Sequence, residues 1–487
     1  MGAEPLYGWL QRAVRERPHE ALLITDTETL DALAVQHRLG TLAARCRAAG
    51  LIGGRTLAVQ SADNRQLAWG ALLAMYAGCP FLPLSPAQEA APLLAAAGGA
   101  RWFAADAGAA AGPAPWPLDW LDAPADEAPA AAAPLPAAAV QLYVASSGSG
   151  GAPRLVKHTG AGLAAAVGAS RRRTGLGPGD LWLGCLPLAH IGGLAILLRC
   201  LHAGATLRLL ERFDAGRVHD ELYARPVTHL SLVPAMLARL LEQDDAPPPA
   251  TLRCVLVGGG PLSAAVAEPA LARGWPLCPV YGMTETASHV TFCNARRDGW
   301  SEGDVGVALD GCHIDVVDAQ GRPVQGEGLI RIRGPMLMAG YAGDAGPGDG
   351  LRDGAFVSRD IGRLDADGRL HLAGRADHLI VSGGVNLDPE RLEARLAACP
   401  GVDAVAVTGI ADPEWGQRVA ALLSGPVEPD AFLAWCREHI DSAQRPRLVF
   451  KTEHLPATAL GKPDRPAIAR LARRLHPSPG DQGRLRP

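Results

Sequence analysis

Four ionisable side chains far apart in the chain, Glu285, Asp360, Arg375 and Lys462, each stand among glycines or small hydroxyl residues, a setting suited to chemistry on a phosphate ester. The most distinctive segment is Tyr143-Val144-Ala145-Ser146-Ser147-Gly148-Ser149-Gly150-Gly151-Ala152-Pro153-Arg154. A short apolar run leads into Gly and Ser, then a cation. Small residues let backbone N–H groups and hydroxyls approach an anion, and Arg154 adds charge, as a phosphate cradle requires. No Gly-Lys-Ser/Thr follows at the Walker A spacing; taken alone, the segment reads equally well as a flexible surface loop. Downstream, Tyr281-Gly282-Met283-Thr284-Glu285-Thr286 sets a hydroxyl beside a carboxylate. That pair suits a site where Thr284 touches phosphate and Glu285 holds Mg²⁺, although an N-capped helix start selects the same residue types. Asp360 follows a strand-like Phe356-Val357, and Gly374-Arg375-Ala376-Asp377 precedes Leu379-Ile380-Val381. Near the end, Lys462 sits in a Gly-Pro loop, Thr458 to Pro463, where it can reach into a cleft; a solvated charge is the ordinary alternative.

The elements that must position these residues follow from hydrophobic patterning. Leu57 to Val59 reads as a buried strand, Gln66 to Ala77 as a helix and Phe81 to Leu84 as the next strand. A second series runs through Leu181 to Leu186, a helix from about Gly193, Thr206 to Leu210, a helix from Ala215, Thr228 to Leu232, and Cys254 to Val257, which leads into Gly258-Gly259-Gly260-Pro261. Such alternation favours parallel sheets with helices on their faces. Ala104 to Ala139, rich in Ala and Pro, reads as an irregular surface stretch. From Ile314 the texture turns β-rich with period two, and Leu379 to about Leu475 is a compact α+β unit. The expected fold class is α/β: a large N-terminal domain of layered sheets and helices with a β-rich subdomain (1–374), a hinge (375–378), a small mobile α+β C-terminal domain (379–475) and a disordered tail (476–487).

Composition narrows the function. The 487 residues, too many for one ordinary domain, carry 46 Lys+Arg against 50 Asp+Glu, a formal charge of −4. That balance argues against a protein built to grip nucleic acid or an anionic membrane. The ten cysteines are scattered with no CxxC pair, which signals neither a zinc framework nor a redox dithiol and fits reduced core thiols of a cytoplasmic protein. No signal peptide is visible at the N-terminus, and the uncharged Leu181 to Leu198 is interrupted by Pro187, His190, Gly192 and Gly193, a buried strand–turn–helix and not a membrane span.

In this order the motifs resemble those of the adenylate-forming superfamily of acyl-CoA synthetases, peptide-synthetase adenylation domains and luciferases, over essentially the whole chain. Residues 143–156 look like its Thr-Ser-Gly-Ser-Thr-Gly-x-Pro-Lys-Gly phosphate loop, and 281–285 match its Tyr-Gly-x-Thr-Glu motif. Gly374-Arg375 and Asp377 match the hinge motif, Ser382-Gly383-Gly384-Val385-Asn386 the segment after it, and Gly461-Lys462 the terminal lysine motif. The departures are Gly150 for Thr, Arg154 for Lys, Leu155 for Gly, Ser358-Arg359-Asp360 for Thr-Gly-Asp and Val385 for Glu. Arg for Lys preserves charge but not geometry.

The resemblance implies ATP, Mg²⁺ and coenzyme A as the small molecules handled, beside a carboxylic acid, with no nucleic acid and no membrane span; the oligomeric state stays open, with a homodimer among the options. It implies that Lys462 bridges the acid and the α-phosphate and that Thr284 touches phosphate while Glu285 holds the metal. Ser146, Ser147, Gly148, Ser149, Gly151 and Arg154 would hold the outer phosphates. Gly258, Gly259 and Gly260, with Tyr281 and Gly282, would border adenine. Asp360 would accept the ribose hydroxyls, and Arg375 would contact ribose or phosphate. Asp377 would be the hinge, and Gly383 and Gly384 would let pantetheine pass. Pro187 to Arg199 and Tyr281 to Ser288 look most like the 2-succinylbenzoate–CoA ligases of menaquinone biosynthesis, which would put His190 beside the acyl pocket; a core histidine is its alternative, and for Arg199 a helix-face position is preferred over a substrate contact. Another aryl or short acyl acid, or a carrier protein as acceptor, stays open. A hydrolase or kinase would leave Lys462 unexplained, and a degenerate nucleotide-binding scaffold would not need Glu285 and Lys462.

Overall fold

The computed structural model describes residues 5–51, 55–104, 115–122, 133–146, 154–343, 351–382, 385–413, 415–442, 444–457 and 463–476. The chain divides into two compact units. The larger comprises Met1–Asp315, Arg331–Val357 and Asp365–Leu370; the smaller comprises Val316–Ile330, Ser358–Leu364 and His371–Pro487.

Two sheets build the larger unit. One has seven strands in the order Leu277–Pro279, Cys254–Val257, His229–Leu232, Leu181–Gly184, Thr206–Leu209, Ala21–Ile24 and Thr29–Asp31, parallel except for the last pairing. Cys254–Val257, His229–Leu232 and Leu181–Gly184 are buried at all four positions, as expected for parallel strands covered on both faces. After Leu181–Gly184 the chain builds Thr206–Leu209 on one side, then returns to build His229–Leu232 on the other. That reversal makes a crevice at the carboxyl ends of these strands, the usual ligand position in open α/β sheets. The second sheet has the order Arg101–Phe103, Leu57–Gln60, Phe81–Leu84, Val140–Ser146 and Arg154–Thr159, with only the last pair antiparallel.

The expected strands and helices therefore stand close to where periodicity put them. Helix Asn64–Ala77 starts two residues earlier than expected, because Asp63 caps it by accepting from the Arg65 amide at 2.7 Å. The apolar stretch from Leu181 resolves into a strand, a turn and helix Ile191–Ala203; among the described residues no helix is long and apolar enough to cross a membrane. Within Ala104–Ala139 the described part is partly regular: Trp116 bridges to Phe103 and packs edge-on against Trp120 at 4.5 Å. All ten cysteines are buried free thiols.

In the smaller unit, Ala404–Asp412 and Gly416–Ser424 form a nine-residue antiparallel hairpin. Leu448–Lys451 joins it in parallel. Helices Pro389–Leu396, Pro429–His439 and Arg465–Leu475 belong to the same unit. Its core combines Leu392, Leu396, Val407, Leu423 and Phe432 with a second cluster around Ile410, Leu422, Ile468 and Ala472. Residues 477–487 lie outside the described residues.

Candidate active site

In the larger unit the chemistry-bearing segments leave strands at their carboxyl ends. Gly258-Gly259-Gly260 follows Cys254–Val257, and Tyr281 to Thr286 follows Leu277–Pro279. A side chain at 258 would meet Val280 Cγ2 at 2.7 Å, so glycine is what lets these neighbouring loops pass. His190 ends the loop after Leu181–Gly184 and is half-buried at the start of helix Ile191–Ala203. That loop is anchored by Asn64, 1% exposed, which donates to the carbonyls of Leu186 and Leu210 and accepts from the Leu188 amide.

The Thr-Glu motif is a single 3₁₀ turn, Thr284–Thr286, and not a longer helix. Gly282 precedes it on a two-strand ribbon with Ser288–His289. A Cβ at 282 would lie 2.1 Å from the Ser288 carbonyl oxygen, which side-chain rotation cannot relieve. Ala287 and Ser288 both hold positive φ, 57° and 138°; non-glycine residues so placed store strain and cluster at functional sites. Tyr281 is buried, its amide donating to Thr291 Oγ1 at 3.0 Å.

Strand Arg154–Thr159 brings the end of the candidate phosphate loop to this turn. His158, fully buried, donates from Nε2 to the Thr284 carbonyl at 2.8 Å. The Tyr341 hydroxyl donates to Glu285 Oε1 at 2.7 Å, and the Arg154 guanidinium lies over the Tyr341 ring at 3.4 Å. Segment Met338–Ala342 completes the link through backbone bonds to Glu285, Lys157 and Leu155. Ser146 pairs with Arg154 across the hairpin, its hydroxyl donating to the Arg154 carbonyl; Ser147, Gly148, Ser149 and Gly151 lie outside the described residues. His158 and Tyr341 escaped sequence reasoning. The signal for Tyr341 was an aromatic after Gly340 in an apolar segment, too common a pattern to single out.

Beneath the ribbon, Arg199 is 3% exposed and not on an open helix face. Its Nη2 donates to Ser288 Oγ at 2.6 Å and to His289 Nδ1 at 3.0 Å. Burial pushes Arg199 down to about 10 and holds His289 well below the usual imidazole range.

In the smaller unit, Arg375 Nη1 donates to Asp360 at 2.9 Å, and its Nε and Nη2 grip Asp377 at 3.0 Å each. Arg359, one of the departures, also lies 3.7 Å from Asp377. Asp360 stands inside strand Ala355–Leu364 and Arg375 closes strand Arg369–Arg375. Gly374 at φ 122° passes so close to the Asp388 carboxylate that a Cβ would overlap it. Lys462, Gly383 and Gly384 lie outside the described residues.

Among the described residues no three His, Cys, Asp or Glu side chains gather as a metal cluster. One carboxylate beside a hydroxyl, Glu285 and Thr284, is instead the donor set Mg²⁺ accepts when it arrives on a nucleotide, keeping waters and phosphate oxygens as its other ligands.

The buried histidines set an acid limit on stability. Burial pushes His158 down to about 4, against an ordinary value of 6.5. The unfolded chain therefore binds more protons between those values, so stability present above pH 6.5 is lost as pH falls towards 4. For His158 alone the loss is about 3 kcal/mol. We expect the thermal midpoint to drop across this window and the drop to be shallower in His158→Gln, which keeps an N–H donor but does not titrate. An identical pH slope in both proteins would contradict the assignment.

Comparison with known proteins agrees with this geometry. The family model for AMP-binding enzyme matches residues 10–342, and that for the AMP-binding enzyme C-terminal domain matches residues 391–462. The chain is 34% identical to a 2-succinylbenzoate–CoA ligase of Bacillus mycoides (strain KBAB4) over 336 residues, 68% of this chain and 70% of that protein. It is 35% identical to another from Bacillus cereus (strain Q1) over 323 residues, 65% of this chain and 67% of that one. Among solved structures, o-succinylbenzoate CoA synthetase from Bacillus subtilis in complex with its acyl-adenylate intermediate superposes with a TM-score of 0.86 at 26% identity, covering 95% of this chain and 97% of that one. The same enzyme with ATP and magnesium gives 0.86 over 96% and 99%. With its loops at the carboxyl ends of a doubly wound sheet and both family models in order along it, the chain belongs to the AMP-binding enzymes.

Proposed function

We propose that this protein is a 2-succinylbenzoate–CoA ligase serving menaquinone biosynthesis, the reading that its curated relatives and its motifs favour together. A carboxylate is a poor acyl donor because its oxygen is a poor leaving group. In the first step a carboxylate oxygen attacks the α-phosphorus of ATP, the bond to the β-phosphate breaks, and pyrophosphate leaves. In the second the coenzyme A thiolate attacks the acyl carbon and AMP departs.

The observation that supports this reading most is the direct tie between the strand ending the phosphate loop and the Thr284–Glu285 turn, through His158 and through Tyr341. Arg154, one of the residues read as holding the outer phosphates, is thereby linked to the carboxylate that would take their Mg²⁺. Ser146, Ser147, Gly148, Ser149, Gly151 and Arg154 would hold phosphate oxygens. Gly258 to Gly260, Tyr281 and Gly282 would border adenine, and Asp360 with Arg375 would meet the ribose. Lys462 would offset charge developing at the α-phosphate, and His190 would stand by the acyl group. The small domain, from residue 379, would turn about 375–378 between the steps, with Asp377 as pivot and Gly383 and Gly384 beside the pantetheine arm. Ten buried free thiols support placing the reaction in the reducing cytoplasm.

Acid-dependent ATP–pyrophosphate exchange tests this, run over aryl and aliphatic acids and followed by a comparison of coenzyme A with a carrier protein as acceptor. Exchange requiring an acid, and highest with 2-succinylbenzoate, is expected. Phosphate release without exchange would indicate a hydrolase, and neither reaction a scaffold.

A further inference from the structure

Arg154 departs from the lysine of the motif it resembles, and its surroundings give the departure a use. Its guanidinium carbon sits 3.4 Å from the centre of the Tyr341 ring, and that tyrosine's hydroxyl donates to Glu285 Oε1 at 2.7 Å. Tyr341 is 8% exposed, packed with Val156, Met338 and Phe356, while Met283 and Leu337 close the cluster. Its backbone is bridged to Val156, on the strand that begins at Arg154. The Met338 amide also donates to the Glu285 carbonyl at 2.8 Å, so main chain and side chain of Glu285 are held by one short segment.

We propose that Tyr341 is a positioning residue that fixes the Glu285 carboxylate for the Mg²⁺ of MgATP, and that Arg154 fixes Tyr341. The inference rests on Glu285 being the metal-binding carboxylate, as proposed above. A carboxylate offers about four lone-pair directions; the phenol occupies one on Oε1 and leaves others for a hydrated cation. Without that bond the side chain samples several rotamers, and each Mg²⁺ bound must select one. A planar guanidinium covers an aromatic face as an ammonium does not, and a cation over the ring draws density from it, making the hydroxyl a better donor.

The test measures pyrophosphate exchange against free Mg²⁺ at saturating ATP and acid, together with calorimetric binding of a non-hydrolysable ATP analogue with and without Mg²⁺. Melting temperatures check that each variant folds. Tyr341→Phe is expected to raise the Mg²⁺ concentration for half-maximal exchange by roughly tenfold, the scale of losing a hydrogen bond to a charged group, and to weaken analogue binding only when Mg²⁺ is present. The KM for the acid stays unchanged. Arg154→Lys should shift the Mg²⁺ requirement in the same direction by a smaller factor, and adding Tyr341→Phe to Glu285→Gln should bring no further change. If Arg154→Lys raises the KM for ATP without moving the Mg²⁺ requirement, Arg154 is a phosphate ligand only and its part of the proposal fails. If Glu285→Gln shifts the requirement and Tyr341→Phe does not, the positioning role is overturned while the metal role stands; if Glu285→Gln has no effect, both fall.

Discussion

Lys462→Ala should reduce acid-dependent ATP–pyrophosphate exchange by roughly 10²–10³-fold or more, the range seen when one preorganised stabiliser of transition-state charge is removed. The same variant should retain thioester formation from supplied acyl-adenylate and coenzyme A. The asymmetry follows from where charge develops. In adenylation, negative charge builds on the α-phosphate as pyrophosphate leaves, and a cation bridging acid and phosphate is stronger in that state than in the ground state. In thioester formation the nucleophile is itself an anion and the leaving group is AMP, so on the proposed turn of the small domain a lysine carried away with it would contribute little. Lys462→Arg separates charge from reach: it keeps the cation but carries a broader, planar head, and should recover only part of the exchange. Equal losses in both half-reactions, each measured alone, would refute the division of labour.

Much of the scaffold was legible because each element obeys a local rule. The parallel strands Leu57–Gln60, Phe81–Leu84 and Cys254–Val257 are short apolar runs between turn residues, and both of their faces are covered, so no polar position interrupts the pattern before the terminal Gln60 of the first. Helix Ala215–Ala224 begins where Asp214 can accept from the Arg217 amide. The motifs announced themselves through glycine, whose spacing marks places where backbone must pass close to backbone, as at Gly258 and Gly282.

Less legible was what holds the segments of the candidate site to one another. Asn64, His158, Tyr341 and Arg199 act across separations of 56 to 146 residues, and nothing local distinguishes them from ordinary core or surface residues. A histidine in a strand or an arginine in a helix is usually a packed or solvated group; only the fold reveals that His158 meets a carbonyl of the Thr-Glu turn. Arg199 shows the limit most clearly. Its helix is so uniformly apolar that the lone cation suggested an exposed face, yet it is buried against Ser288 and His289 because the ribbon after Gly282 folds over it. The Arg359 departure likewise has a partner, Asp377, eighteen residues on, that no spacing rule would pair with it.

The largest stability effect is expected at a buried ion network remote from the chemistry. Arg208, 1% exposed on strand Thr206–Leu209, donates from Nε to Glu221 Oε2 at 2.9 Å and from Nη2 to Glu221 Oε1 at 2.5 Å. Asp26 receives a further bond from Arg208, and Arg217 and Arg225 complete the network around Asp26 and Glu221. The Arg208 hydrogen bond, ahead of any other favourable contribution, holds the Glu221 carboxyl below its usual range, and Arg208 itself is raised by its acidic partners against the cost of burial. Removing Glu221 leaves the buried Arg208 with the part-exposed Asp26 as its remaining acidic partner in this network, so its charge is under-compensated and Glu221→Ala should destabilise the larger unit by about 3 kcal/mol, the lower end of the range for breaking a buried pair. Replacing both, as Arg208→Met with Glu221→Leu, should cost much less, because no charge is then stranded. The acid arm follows from the sign of the shift: a carboxylate lowered on folding contributes stability above its ordinary value that is lost as pH falls below it. Wild type should therefore lose denaturant resistance on acidification below about pH 4.5, while Glu221→Gln, already without the charge, should lose less over the same interval. Urea midpoints for the four proteins at neutral and acid pH decide the matter, and a double variant no more stable than Glu221→Ala would show that packing at this site, not the stranded charge, sets the cost.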